Sequence, residues 1–187
     1  MRRASCIGLF FGLLLASVAI AQVKYFPPDF PPNWYEGDLK ALNEPSLWES
    51  SKTQKAQSFR FLWLRSFQHP LAIRIIVRSD GTSLLIRKMT SGVTGHPGRL
   101  MQNRTLIVNR EQTSRFLQQV ERSNFWKLPP VLEDRGVDGS QWIVEGIRDG
   151  GYHVVDRWSP KDDEIHALGL YIARDLARIN LARSEIY

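Results

Sequence analysis

Two Asp-Gly pairs, Asp80-Gly81 and Asp149-Gly150, each stand between runs of β-branched and aromatic residues, and this limits the chain to local antiparallel pairing. An Asp-Gly step supplies the positive φ of a tight hairpin turn, so the flanking runs pair with each other. Leu71–Val77 and Leu84–Met89 form one predicted hairpin. Gln141–Arg148 and Tyr152–Trp158, joined across Asp149-Gly150-Gly151, form the second. From Phe59 to Phe67, Phe59, Phe61, Trp63 and Phe67 alternate with Arg60, Leu62, Leu64 and Ser66, the period of a strand with one aromatic face. The Gly-rich stretch 91–103 reads as a loop and Arg104–Val108 as a short strand.

Helix signals fall between these strands. Asn109-Arg110-Glu111-Gln112 is a capping-box arrangement, and Thr113, Phe116, Leu117 and Val120 follow at helical spacing. That helix runs out near Asn124, before Pro129-Pro130. Ser159-Pro160 offers a cap and a first-turn proline for a last helix, whose stripe is Ile165, Leu168, Ile172, Leu176 and Ile179. Arg174, Arg178 and Arg183 fall outside the stripe. The expected fold class is α+β, in two layers. An antiparallel sheet of two β-hairpins plus flanking strands is packed by two helices on one face, over residues 58–187.

The segment 22–57 precedes this domain. Its Pro27-Pro28 and Pro31-Pro32 pairs favour an extended arm. Phe26, Phe30, Trp34 and Tyr35 are too aromatic for a solvated linker, so the arm either packs along the domain edge or docks a partner. Beyond it, Glu36 to Gln57 is polar, with Leu39, Leu42, Leu47 and Trp48 as anchors of a short helix.

Residues 1–21 carry Arg2-Arg3, an apolar run from Ile7 to Leu15 and a small-residue string ending Ala19-Ile20-Ala21. That is the pattern of a cleaved signal peptide, and it predicts export to a periplasmic or secreted location. The run is too short to cross a bilayer, and no later segment is longer. The only Cys, Cys6, lies in this leader, so the remainder has neither disulfide nor thiol chemistry. The formal net charge is +6, with Arg2 and Arg3 in the leader. A mildly basic remainder supports attraction to anionic surfaces and no nucleic-acid assignment.

The chemistry-bearing residues are sparse. His69, His96, His153 and His166 lack metal-ligand spacing. Ser140 is not in a Gly-x-Ser-x-Gly turn, and Glu133, Asp134, Asp138, Glu145, Asp149 and Asp156 do not space themselves as a calcium loop. No phosphate-loop or dinucleotide fingerprint is present, so no catalytic residue, metal ligand or cofactor is assigned. If Asp80-Gly81 is a two-residue turn, Arg74 faces Arg87 and Arg78 shares their face. Such a trio either meets Glu145 of the neighbouring hairpin and solvent, or grips an acidic partner. Arg74, Arg78 and Arg87, with Trp34 and Tyr35 of the arm, are the candidate binding residues.

The layout from Leu106 to Ala177 joins a strand, a helix opening Asn-Arg-Glu-Gln, then Phe116-Leu117, Val120-Glu121 and Asn124-Phe125-Trp126-Lys127-Leu128-Pro129, a loop, a hairpin and a final helix. It resembles uncharacterised exported bacterial proteins. In outline it is also similar to emfourin-like inhibitors of thermolysin-like metallopeptidases. The resemblance covers packing residues in under half of the chain and transfers no functional residue. It implies a binding or inhibitory domain. The leading expectation is therefore an exported, non-enzymatic domain that binds another extracytoplasmic protein, such as a peptidase. An envelope-associated protein that binds anionic polymer and a hydrolase remain open.

Overall fold

In the computed structural model the chain is described at residues 23–30, 35–132, 136 and 138–187. The leader, Trp34, Glu133 and Asp134 lie outside the described residues. Two short helices come first, α1 (Tyr35–Ala41) and α2 (Leu47–Ser51), the latter started by the Ser46 side chain accepting from the Glu49 N–H. Strands β1 (Ser58–Arg65), β2 (Leu71–Val77), β3 (Ser83–Thr90) and β4 (Leu100–Val108) follow, then α3 (Arg110–Arg122). Strands β5 (Ser140–Arg148) and β6 (Gly151–Trp158) precede α4 (Glu164–Leu170), which continues as a π-helical stretch, Tyr171–Leu176. The six strands form one antiparallel sheet in the order β4-β3-β2-β1-β5-β6. The fold is α+β, as expected from the hairpins and capped helices.

The sheet has two unlike faces. On the helix face, Phe59, Phe61 and Trp63 of β1, Ile73 and Ile75 of β2 and Trp142 and Val144 of β5 pack against Phe116, Val120, Ile165, Leu168 and Ile172. Gly146 and Gly169 permit this closeness. A Cβ at Gly146 would stand 2.7 Å from the Phe125 ring, and one at Gly169 would stand 2.6 Å from Trp142. On the opposite, arm face, Tyr25, Phe26, Phe30, Tyr35, Leu39 and Leu42 cover Leu62, Leu64, Ala72, Ile143 and Val154. The aromatic arm is thus a second cover for the sheet, and that face is not open to solvent over β1, β5 and β6. Strand β1 is buried along its whole length because it is central and covered on both sides.

Four local expectations are corrected. The β2–β3 connection is a three-residue loop: Arg78 N–H donates to Thr82 O, Gly81 N–H donates to Arg78 O, and Gly81 takes φ +80°. That geometry is a type I turn closed by a glycine bulge. It shifts the register by one, pairing Arg74 with Ile86 and Ile73 with Arg87, so Arg74 and Arg87 occupy opposite faces. By contrast, Asp149 and Gly150, both at positive φ, make a two-residue turn that pairs Arg148 with Gly151. Strand β4 begins at Leu100 and takes up residues assigned to the loop. Phe67 lies past the end of β1 and is 69% exposed. The last helix starts at Glu164, because Asp163 accepts from the His166 N–H at 2.7 Å, whereas Ser159 sits at φ +39° and its Oγ accepts from Ser140 N–H.

Candidate functional site

The parity of the strands gathers arginines on the helix face at one end of the sheet. Arg65 is two residues past Trp63 on β1, so it points to the same face as the aromatic row. Trp63 pairs with Leu71, Leu71 with Met89, and Met89 with Gln102, which sets one row across four strands. Arg87 stands two residues from Met89 on β3. The chain leaving the π-helical stretch supplies the opposite wall, since Arg178 adopts φ +52° and turns it back over the sheet. The result is a cleft of about 210 Å³ lined by Arg65, Arg87 and Arg178 together with Leu71, Met89, Gln102, Ile179 and Asn180.

These guanidinium groups are incompletely used. Arg65 is 5% exposed and lies over the Trp63 ring at 4.2 Å, yet its Nε and Nη1 have no hydrogen-bond acceptor. Its nearest carboxylate oxygen, Glu185 Oε1, is 4.0 Å from Nη1, beyond hydrogen-bond length. Arg87 Nη1 donates to Ala177 O at 3.2 Å, at the end of the helix, while its Nε also lacks an acceptor. Burial pulls both pKa values down, and Arg104, directly opposite on β4, adds to this at Arg87. An arginine nevertheless stays protonated. The cleft therefore holds three positive groups, and no carboxylate is among its lining residues. A planar fork with free donors suits a carboxylate or phosphate. Among the described residues no Asp, Glu, His, Ser, Thr or Cys lines the cleft.

The arm face carries the opposite arrangement. Arg60, fully buried, donates from Nε to Glu145 Oε2 at 2.6 Å and from Nη1 to Pro45 O at 2.6 Å. Glu44, contributed by the segment between α1 and α2, accepts from Arg74 Nε at 2.9 Å and lies 3.0 Å from Lys88 Nζ and 3.6 Å from Arg60 Nη1. Tyr152 donates to Glu145 Oε1 at 2.9 Å. Burial works against the Arg60 charge, but Glu145 and Glu44 outweigh it and push the pKa up. Burial and the Glu145 charge raise Tyr152 well above its usual value, which keeps it a donor. Arg60 Nη2 and Glu44 Oε1 make no hydrogen bond, but each lies in an ion pair, with Glu145 and with Lys88, so every charge of this cluster has an internal counter-charge.

The five sequence-derived binding residues are not brought together. Arg74 is held by Glu44, Arg78 is exposed beside the β2–β3 loop, and Arg87 lines the cleft. Tyr35 is fully buried and donates to Asp156 Oδ2 at 2.6 Å, so it presents no contact surface. Trp34 falls outside the described residues. Glu145 serves Arg60, and the like-charge pair expected at Arg74 and Arg87 stands instead at Arg87 and Arg104. Arg65 and Arg178 were missed. Counting Arg65 onto the Trp63 face would have found the first, whereas no sequence pattern marks the second.

Other sites are less developed. Among the described residues no group of three or more His, Cys, Asp or Glu could hold a metal ion. No helix of the described residues is long and apolar enough to cross a membrane. A larger groove, about 600 Å³, runs between the β2–β3 loop and α3. Its polar lining consists mainly of exposed side chains such as Arg110, Gln118 and Arg122, with no orphaned buried group. No protein-family model matches the chain, and no curated protein matches it.

Proposed function

We propose that this is an exported, non-enzymatic binding domain that holds a carboxylate of an acidic protein partner between Arg65, Arg87 and Arg178. The observation that carries the reading is the set of buried guanidinium N–H groups, on residues lining one cleft, that lack acceptors. A buried donor left unmade costs about 1–3 kcal/mol, so an anion that fills this position gains what the free protein lacks. The small volume favours one discrete carboxylate over a polymer, which needs an extended basic track. The leader pattern and the inhibitor-like layout support an extracytoplasmic protein, with a peptidase as one member of that class.

The test is an NMR titration of the arginine Nε–Hε signals with an oligoglutamate peptide, with polyphosphate as the comparison. Arg65 and Arg87 signals should move, and Arg87→Ala should weaken binding about tenfold, or about 1.4 kcal/mol, with the fold retained. Unmoved signals at millimolar peptide overturn the reading. Binding of polyphosphate alone replaces it with the envelope-polymer alternative.

A further inference from the structure

The two edges of the sheet are finished differently. At β6 the chain covers its own edge: Asp156 N–H donates to Pro130 O at 2.7 Å, and Val131 bridges to Asp156 in parallel. At β4 no described segment pairs beyond the strand, which is bound to β3 alone. Exposed residues dominate it on both faces from Met101 to Ile107, and Gln102 is the half-buried exception. Met101 is 48% exposed, Leu106 40% and Ile107 71%. Nine residues without a proline make a long open template, and natural edges are usually blunted.

Resting on the binding reading above, we infer that β4 is the docking edge: the acidic partner adds an extended strand there, with alternating acidic and apolar side chains. The alternation follows from the faces of β4. Its helix face presents Arg104, which is opposite Arg87 and beside the row that holds the cleft. Its arm face presents Ile107, next to the half-buried Leu84 and Ile86, and the arm's hydrophobic cluster includes no residue of β3 or β4. A strand added at this edge sends alternate side chains to the two faces. Acidic residues then meet Arg104 while apolar residues cover Ile107. A second copy of the chain does not suit: β4 carries Arg104 as its only charged residue and so brings no acid to its twin.

The probe is a blocked nine-residue peptide alternating valine and glutamate, with a version N-methylated at alternate residues along one edge. Bound peptide should slow hydrogen exchange of the outward β4 amides at least about tenfold, and the N-methylated version should not. Arg104→Glu should weaken the valine–glutamate peptide about tenfold and turn the preference toward a valine–lysine peptide. Arginine signals that move while β4 exchange stays unchanged overturn strand addition and leave the cleft reading standing. Protected β4 amides with unmoved Arg65 and Arg87 signals keep the edge and remove the cleft. Equal exchange protection by the N-methylated peptide also overturns the inference.

Discussion

The two faces of the sheet treat arginine in opposite ways. On the arm face Arg60 is entirely removed from water, and Glu145, Glu44 and the Pro45 carbonyl surround it. On the helix face Arg65 is nearly as deep, with an aromatic ring beneath it and no acceptor within hydrogen-bond reach of Nε or Nη1. Depth of burial is therefore not what separates a paired charge from an unpaired one. The separation lies in whether the chain supplies the counter-charge. Where it does, removing a partner harms the fold; where it does not, the donors stay unpaired in the free protein.

The largest effect should come from Glu44→Gln. Glu44 is the shared acid of Arg74, Lys88 and Arg60, and the change leaves Arg60 with Glu145 and takes from Arg74 and Lys88 the carboxylate they pair with. Breaking such a buried pair from one side costs about 3–5 kcal/mol, measurable as a lower denaturant midpoint. Adding Lys88→Met should recover part of the loss by removing an unpaired cation. A Glu44→Gln protein as stable as the parent would show that the arm-face cluster is no more closed than the cleft.

Asp38 sharpens the comparison, because it is an unfinished polar group on the closed side. It is fully buried, its Oδ2 accepts from Gly95 N–H at 3.4 Å, and its Oδ1 has no hydrogen bond. Burial pushes its pKa up to about 6, against the opposing pull of the Gly95 and Asp38 N–H groups and of His96. The folded state thus holds this proton more tightly than the unfolded chain does. Stability contributed by the neutral acid is fully present below about pH 4 and is lost as pH rises through about 6. Asp38→Asn keeps an acceptor for Gly95 without the ionisation, so it should be more stable than the parent by about 2–3 kcal/mol at pH 8 and about equal at pH 4. A difference that stays constant across that range would remove ionisation from the account.

What could be read in advance follows the range of the interactions. Local signals worked: Asn109 caps α3 through the Gln112 N–H, and Asp149-Gly150 makes the two-residue turn. They failed where two local solutions compete. Asp80-Gly81 fits both a two-residue and a three-residue loop, and Gly81 in the bulge position decides for the second. Likewise Ser159-Pro160 and Asp163 both offer a helix start, and Asp163 takes it. The arm-face network was beyond reach, since Arg60 meets Glu145 across 85 positions and Arg74 meets Glu44 across 30. Such pairings depend on strand order, which hairpin signals leave open. Half of the cleft was within reach, because the Trp63 face carries Arg65 with it. The left-handed turn at Arg178 has no glycine or asparagine to announce it.

The smallest effect on stability belongs to Arg65→Met, and its size decides whether the cleft is truly unfinished. Methionine keeps an apolar stem against Trp63 and removes a buried charge whose Nε and Nη1 meet no acceptor. The 4.0 Å contact to the half-buried Glu185 is lost, worth between about 0 and 1 kcal/mol, and the guanidinium stacked on Trp63 is exchanged for a thioether that keeps part of that contact. Denaturant unfolding should therefore show a change within about 1 kcal/mol, neutral or stabilising, while capture of the oligoglutamate peptide falls about tenfold. That pairing of outcomes is the reverse of Glu44→Gln, which should lower stability first. A loss of several kcal/mol in Arg65→Met would mean that the chain itself depends on the Arg65 charge, and the two faces would then differ in geometry alone.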